Sequence, residues 1–187
     1  MNTVSFTAKY ICNTHIKEYK KNSPPQDKEV VIVELDKKSE GDKAAIFNIA
    51  KSWDIPNKRN YSWCMYNSFK REKQKCKSKN HIYALTTQNK SFDKLDSKKI
   101  LGLIQFSELP RGENSIDWFQ VRPKYNYVIS KDNRKYTHVG KALLEFTQKK
   151  FSKKPIYVSS SEDAIEFYEK YGFVSNREFD YEMCYKG

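Results

Sequence analysis

The first part of the chain carries apolar residues at two different spacings. Near the start they alternate with polar residues, which is the period of a half-buried strand. The alternating positions are Val4, Phe6, Ala8 and Tyr10. A β-branched run at residues 30–35 predicts a second strand, and the Pro24-Pro25 pair between the two cannot continue a sheet. We therefore expect a hairpin with a long loop.

Apolar residues then recur every three or four positions, which predicts two helices. Ser39 and Asp42 have the spacing of a capping box before the first helix, and Pro56 ends it. Its apolar positions are Ala45, Ile46, Ile49, Ala50 and Trp53. The second helix is predicted at residues 61–72, with Met65, Tyr66 and Phe69 on one face. The aromatic residues of these helices either belong to the core or line a pocket for an acceptor molecule.

The rest of the chain mixes strand and helix patterns. Strands are predicted at residues 81–87, 99–109 and 115–122, as an antiparallel meander. A helix at 139–151, a strand at 155–160, a helix at 162–171 closed by Gly172, and a strand at 177–185 follow. This order predicts a mixed α/β (α+β) fold, in one domain spanning residues 1–187, with a mostly antiparallel sheet and helices on both faces. The strands at 115–122 and 155–160 make a parallel crossover whose diverging ends open a crevice for a ligand.

Positive charge dominates the composition, with 35 lysines and arginines against 23 acidic residues and a net charge of +12. Lysine-rich stretches such as residues 73–79 suit a nucleic-acid patch. A solvated basic surface is the interpretation we favour, because proteins that read bases rely on arginine. Such a surface attracts an anionic cofactor or an acidic partner.

Cysteine usage and the termini suggest a cytoplasmic protein without a metal. The four cysteines are Cys12, Cys64, Cys76 and Cys184, and they form no Cys-x-x-Cys pair. Cys12 and His15 make half of a zinc-site pattern, but the sequence has no matching second half. We expect reduced thiols. We also expect no secretion leader and no membrane association, because the sequence has neither pattern.

Two motifs near the end of the chain carry the chemistry. Residues 135–144 read Lys-Tyr-Thr-His-Val-Gly-Lys-Ala-Leu-Leu, which places a glycine turn directly before an amphipathic helix. A helix N-terminus offers free backbone N–H groups and positive potential, so this turn is a candidate phosphate site. Residues 163–173 read Asp-Ala-Ile-Glu-Phe-Tyr-Glu-Lys-Tyr-Gly-Phe.

Together these residues resemble the Gcn5-related N-acetyltransferase family. Its signature is a strand, then Arg/Gln-x-x-Gly-x-Gly/Ala, then a helix. Lys135 falls on the Arg/Gln position, His138 on the first glycine and Gly140 on the second. The resemblance implies a core at residues 79–187 that binds acetyl-coenzyme A, and a variable acceptor-side part at residues 1–78.

The resemblance also implies which residues bind acetyl-coenzyme A. The backbone at Phe119 and Val121 would bond the pantetheine arm. The residues expected around the diphosphate are Arg134, Lys135, Thr137, His138, Val139, Gly140, Lys141 and Ala142, and Ser161 completes the set. No metal is implied.

The second motif resembles the family's closing motif, in which a helix ends in Phe-Tyr-Glu-Lys-x-Gly-Phe. Its tyrosine maps to Tyr168, which would protonate the departing thiolate; the alternative is a core tyrosine. Some relatives use a glutamate as base where this chain has Ser115. Asp117 and Glu108 are therefore candidate bases, with ordinary surface acids or a water chain as alternatives.

The function implied by the resemblance is transfer of an acetyl group to a primary amine by direct attack. The acceptor is a small-molecule or peptide amine that the sequence does not identify. A catalytically weak or inactive binding module on the same fold is one alternative, and a tRNA-directed acetyltransferase is another. The protein is expected to be a monomer or a homodimer.

Overall fold

The computed structural model describes residues 7–21, 23–54, 60–70, 78–110, 112–126, 134–175 and 182–187. Within these ranges the strands form a single 9-stranded sheet. The strands are β1 (Lys9–Glu18), β2 (Gln26–Glu34), β3 (Lys79–Thr86), β4 (Ile100–Glu108), β5 (Asn114–Val121), β6 (Tyr136–Thr137), β7 (Ile156–Ser159), β8 (Val174–Ser175) and β9 (Glu182–Tyr185).

The sheet is mixed and mostly antiparallel, as predicted. Its strand order is β6-β1-β2-β3-β4-β5-β7-β9-β8. β5 and β7 are parallel, and the other neighbouring pairs are antiparallel. The predicted meander is β3-β4-β5, and the predicted crossover joins β5 to β7.

Two helices cover one face of the sheet. They are α1 (Glu40–Ser52) and α2 (Tyr61–Lys70). The Asp42 N–H donates to Ser39 Oγ at 3.1 Å, which caps α1 as the sequence predicts. The two helices bury their apolar side against a cluster of sheet residues that includes Val31, Val33, Ala84 and Leu103. This side-chain packing holds the start of α2 close to β5.

The opposite face carries α3 (Val139–Phe151) and the short α4 (Ile165–Lys170). At the centre of this face β4 has a glycine, Gly102. A Cβ atom there would lie 2.8 Å from Leu143 Cδ1 and 3.0 Å from Val139 Cγ1. The missing side chain thus lets α3 lie directly on the middle of the sheet.

The main error of the sequence prediction concerns β1. Val4 and Phe6 lie outside the described residues, and β1 runs through residues 9–18, most of which the sequence suggested were loop. The hairpin with β2 is confirmed, but its loop is shorter than predicted. The strand was missed because Ile16 is its only buried residue, so it shows no apolar alternation.

Smaller differences occur at the ends of elements. The predicted helix at 162–171 is a 3-10 turn, Glu162–Ala164, followed by α4. The predicted last strand is confirmed at Glu182–Tyr185, and its first part lies outside the described residues. So do Pro56, Cys76 and most of the lysine-rich stretch at 73–79. Within the described residues, no helix is long and apolar enough to cross a membrane.

Candidate active site

The parallel pair β5–β7 opens into a gap. The strands pair through Asn114 with Ile156, Ser115 with Tyr157, and Ile116 with Val158. β7 then ends at Ser159, whereas β5 continues to Val121 and stays paired with β4. Residues 117–121 of β5 therefore present a strand edge with no β7 partner among the described residues.

A bulge sets the direction of the backbone groups along this edge. Gln105 pairs with Trp118 and Phe106 with Ile116, so Asp117 is an extra residue on β5. The Asn114 N–H donates to Pro155 O at 3.1 Å on the β7 side, and the Arg122 N–H donates to Leu101 O at 2.8 Å on the β4 side. Because N–H groups alternate along a strand, those of Phe119 and Val121 point into the gap.

Free backbone donors lie at the start of α3. The first intrahelical bond runs from the Ala142 N–H to His138 O at 2.9 Å. The N–H groups of Val139, Gly140 and Lys141 precede that bond, and no described side chain caps them. The sequence predicts Ala142 among the residues around the diphosphate, but its N–H is not free because it donates to His138 O. The three free donors form a nest suited to an anion.

Gly140 brings this nest next to the gap. A Cβ atom at Gly140 would lie 3.3 Å from Phe167 Cζ on α4 and 3.5 Å from Val121 Cγ2 on β5. The glycine therefore allows α3 to approach both neighbours. The anion nest and the open edge of β5 are continuous at this point.

Tyr168 lies on α4 and is 5% exposed. Its ring packs edge-on against Phe167 and Phe173, with centroid distances of 5.3 and 5.4 Å. Burial, and then the nearby phenol of Tyr61, raise the pKa of Tyr168 well above its ordinary value. Tyr61 belongs to α2 on the other face of the sheet, so the two phenols approach each other through the gap. Tyr168 therefore stays protonated at neutral pH.

Asp117 and Trp118 line the gap on the face of α2. Asp117 Oδ2 accepts a hydrogen bond from Gln105 Nε2 at 3.1 Å and another from Ser107 Oγ. The ring of Trp118 stacks on that of Tyr61, with centroids 5.5 Å apart and an interplanar angle of 27°. The bulge thus places the carboxylate of Asp117 on the same face as Trp118, the residue that stacks on Tyr61.

Two solved structures share this architecture over most of the chain. Ard1 from Thermoplasma volcanium aligns with a TM-score of 0.52 and 18% identity, over 83% of this chain and 95% of its own. Tetrahymena GCN5 aligns with a TM-score of 0.51 and 13% identity, over 81% of this chain and 92% of its own. The fold is that of the Gcn5-related N-acetyltransferases.

A third structure aligns at a lower score. It is described as a streptothricin acetyltransferase of Bacillus anthracis str. Ames, in complex with acetyl coenzyme A. Its TM-score is 0.42 and its identity 16%, over 96% of this chain and 83% of its own. No protein-family model and no curated protein sequence matches the chain.

Cations surround the anion nest of this Gcn5-related fold. Lys141 Nζ lies 3.7 Å from Glu145 Oε1, and Lys135 Nζ lies 3.4 Å from Glu18 Oε1. Partial desolvation, and then the positive charges of Lys141 and Lys17, lower the pKa of His138. His138 is therefore neutral at pH 7, with Nδ1 3.1 Å from Thr137 Oγ1. The remaining positive charge near the nest comes from lysine and arginine, including Arg134.

His138 has a left-handed backbone, with φ at 65°. The resemblance places the first glycine of the signature at this position, and a left-handed φ is what glycine adopts without strain. The chain thus has, at the position of the signature's first glycine, a backbone shape that a glycine would adopt without strain.

The structure separates the two candidate bases. Glu108 Oε1 lies 3.0 Å from His81 Nε2, on the face of α3, and Glu108 pairs with Asn114 where β5 and β7 are still paired. Asp117 lies on the face of α2, next to Trp118 in the sequence. Of the two, only Asp117 therefore lies where the unpaired part of β5 begins.

Ser161 is exposed and lies just past the end of β7, across the gap from β5. Its carbonyl accepts the Ala164 N–H at 2.9 Å. The hydroxyl has no hydrogen bond among the described residues that caps the following turn. Contact between Ser161 and the cofactor remains a prediction.

Sequence reasoning missed Tyr61, Trp118 and Gln120. It grouped the aromatic residues of α1 and α2 together, whereas the structure divides them. Met65 and Phe69 are core, and Tyr61 reaches the gap. A third, half-buried group contains Phe47, Trp63 and Tyr66, with centroids 5.2 to 5.9 Å apart. One observation could have singled out Tyr61. It lies in the first turn of the second predicted helix, within residues 1–78, which the resemblance assigns to the acceptor side.

Within the described ranges, no group of three or more His, Cys, Asp or Glu side chains is arranged to hold a metal ion.

Proposed function

We propose that the protein transfers an acetyl group from acetyl-coenzyme A to a primary amine by direct attack. The observation that carries the proposal is the continuity between the open edge of β5 and the free donors of α3. A single elongated ligand with a diphosphate at one end and amides along its arm matches both parts.

The residues present fit this ligand. The amides of Val139, Gly140 and Lys141 would hold the diphosphate, and Arg134 and Lys135 would add positive charge beside it. Each charged hydrogen bond of this kind contributes about 1.5–3 kcal/mol. The N–H groups of Phe119 and Val121 would bond the pantetheine amides, which leads the arm toward the bulge at Asp117.

Acetyl-coenzyme A supplies an activated acyl group as a thioester. In the transfer, Asp117 accepts one proton from the acceptor ammonium. The amine nitrogen bonds to the acyl carbon as the carbon–sulfur bond breaks, and Tyr168 gives its phenolic proton to the departing sulfur. The second proton of the nitrogen returns to Tyr168 through water. The products are an N-acetyl amide and the free thiol.

The first test is calorimetric titration of the purified protein with acetyl-coenzyme A, followed by an assay of thiol release with a mixture of primary amines. We expect saturable binding, and thiol release that depends on amine and yields acetylated product by mass spectrometry. Absence of binding at millimolar ligand would refute the proposal.

A second candidate is a binding module of the same fold, which His138 and Ser115 favour because both depart from the signature of active members. That function predicts cofactor binding without acetylation of any amine in a broad panel. The thiol-release assay therefore distinguishes the two functions.

A further inference from the structure

An aromatic group extends out of the core where α1 meets α2. Phe47 on α1 contacts Trp63 and Tyr66 on α2, with ring centroids 5.9 and 5.2 Å apart, and the rings of Trp63 and Tyr66 are 5.8 Å apart. All three side chains are half-buried, whereas Met65 and Phe69 of the same helix pair are buried in the core. The three rings therefore keep part of their surface open to solvent.

Two lysines lie on these rings. Lys51 Nζ is 4.7 Å from the ring centroid of Phe47, and Lys70 Nζ is 5.1 Å from that of Tyr66. A lysine held over a ring keeps its ammonium at the surface beside the aromatic group. The α1–α2 patch is the set of these five side chains: Phe47, Lys51, Trp63, Tyr66 and Lys70.

The charge of the two helices around the α1–α2 patch is positive. Their acidic residues are Glu40 and Asp42, and Asp42 is fully buried. Glu40 lies in the first turn of α1, at the opposite end of that helix from Lys51, and pairs with Lys43 Nζ at 2.5 Å. In the sequence, α2 continues into residues 71–79, which contain four lysines and one arginine against one glutamate. An anionic partner is therefore favoured here.

Hydrogen bonds hold the two helices in the arrangement that forms the patch. Asn60 Nδ2 donates to Ala50 O at 2.8 Å, which ties the end of α1 to the start of α2. Gln120 Oε1 on β5 accepts the backbone N–H of Ser62 at 2.7 Å, which fixes the first turn of α2 on the sheet. The rings meet one another at angles of 46° to 79°, so they do not stack face to face. The patch is thus preorganised, and binding a flat ligand orders few side chains.

We infer that the α1–α2 patch binds single-stranded nucleic acid, with unpaired bases stacked on its rings and backbone phosphates paired with Lys51 and Lys70. Every base has a planar face that stacks on an aromatic side chain whatever the sequence, and phosphates are bound by point charges such as lysine. Readout of base edges relies on arginine, which this mode does not need. The inference does not rest on the proposed acetyl transfer.

Two other partners fit the patch less well. A second copy of the chain would present the same patch across a two-fold axis, so Lys51 and Lys70 of one copy would approach those of the other. Each copy also has a net charge of +12, which opposes that contact. An acidic peptide would pair with the lysines, but its carboxylates would gain nothing from the rings.

The first test needs no variant. It measures the fluorescence anisotropy of two labelled twelve-nucleotide strands as the full chain is added, one of thymidine and one of abasic deoxyribose phosphate. Both strands have the same charge, and only the first has bases. We expect the thymidine strand to bind at least about tenfold more tightly. Equal affinity, or no binding of either strand at low salt, overturns the inference.

The second test removes single rings. In Trp63→Leu and Tyr66→Leu, we expect the dissociation constant of the thymidine strand to rise about tenfold and that of the abasic strand to stay the same. Trp63→Phe keeps a ring and should recover most of the loss. The matched control is Tyr19→Leu, which removes a tyrosine that is 43% exposed after β1. Thermal unfolding checks that each variant is folded. Wild-type affinity in both ring variants contradicts the stacking.

The third test removes the two lysines of the patch. Binding of a single strand weakens with salt by a slope of about 0.7 for each phosphate contact. We therefore expect Lys51→Gln and Lys70→Gln each to reduce the slope of log Kd against log salt by about 0.7. Lys153→Gln, at an exposed position after α3 on the opposite face of the sheet, is the control. The same reduction in all three variants would mean that the patch is not the site.

Two measurements identify the alternative partners. Tight binding of a glutamate twelve-mer, equal to that of the thymidine strand, would replace nucleic acid by an acidic protein. Sedimentation velocity of the protein alone would reveal a dimer, and loss of that dimer in Trp63→Leu would assign the patch to contact between copies. None of these assays measures acetyl transfer, so the failure of this inference and the failure of the proposed function are observed separately.

Discussion

The paired end and the open end of β5 differ in how their charged side chains are used. Near the paired end, on the face of α3, His81 lies between two carboxylates, with Nδ1 2.5 Å from Glu34 Oε1 and Nε2 3.0 Å from Glu108 Oε1. At the open end, Asp117 keeps one oxygen without a partner among the described residues, and the first N–H groups of α3 have no cap there.

Within one sheet, this difference distinguishes charged side chains that stabilise the fold from side chains that are able to bind a ligand. At the paired end, opposite charges on β2, β3 and β4 satisfy one another, which ties three strands together. At the open end, hydrogen-bonding capacity remains for a ligand. A candidate base that already pairs with a histidine, such as Glu108, therefore belongs to the framework.

The largest expected effect tests the open end through Tyr168, the proton donor of the proposed reaction. Removing the phenolic hydroxyl in Tyr168→Phe should lower kcat about 100-fold, because the thiolate would leave without a proton. The affinity for acetyl-coenzyme A should change little, since the ring and its packing remain. Steady-state kinetics and calorimetry measure the two quantities. Tyr171→Phe is the control, and unchanged kcat in Tyr168→Phe would remove Tyr168 from the mechanism.

The second prediction tests the link between the nest and the gap. In Gly140→Val, the new side chain would meet Phe167 and Val121, so α3 must shift and its donors with it. We expect the dissociation constant of acetyl-coenzyme A to rise about 30-fold, which corresponds to about 2 kcal/mol. The control Ala44→Val makes the same size of change at an exposed position of α1. Wild-type affinity in Gly140→Val would contradict the role of the glycine.

The third prediction concerns pH and the paired end. The hydrogen bond that His81 donates to Glu34 is the main cause that raises the pKa of His81, against partial burial, and the same bond lowers the pKa of Glu34. Folding thus favours protonated His81. Its contribution is complete below the unfolded pKa of about 6.5 and is lost as the pH rises through the higher folded value.

We therefore expect His81→Gln to reduce the free energy of unfolding by about 1 kcal/mol more at pH 6 than at pH 9. Urea denaturation at both pH values measures this difference. The control His15→Gln removes an exposed histidine of β1. If the loss of unfolding free energy caused by His81→Gln instead increased with pH, folding would not favour protonated His81.

The smallest effect is expected at His138. His138→Gly should relieve the left-handed backbone at φ 65° and gain up to about 1 kcal/mol of stability, partly offset by the freedom of glycine in the unfolded chain. Thermal unfolding measures the change. A clear loss of stability would mean that the imidazole contributes more than its backbone strain costs.

The elements around the site followed from local signals in the sequence. The start of α3, Gly140 and the helix before Gly172 each depend on neighbouring residues, through a glycine, an amphipathic period or a helix end. The pairing of β5 with β7 followed from the order of the elements. These features therefore needed no knowledge of distant contacts.

Other features depend on contacts that no local pattern records. The bulge at Asp117 arises from the register between β4 and β5, and it puts Asp117 and Trp118 on the same face. The pairing of Tyr61 with Trp118 joins residues from different elements. Ile16 is the only buried residue of β1. The sequence of this strand therefore lacks the alternation of apolar and polar residues that would have predicted its pairing with β2.

Gly102 lets α3 lie directly on β4, and this has a consequence for how the sequence can change over time. A methyl group at this position would push on Leu143 and Val139 and lift the helix that presents the three amides. A single substitution beneath α3 would thus disturb the anion nest without changing any residue that forms it. A related chain that keeps Gly140 and Tyr168 but has lost the glycine under α3 is expected to bind anions at the start of that helix more weakly.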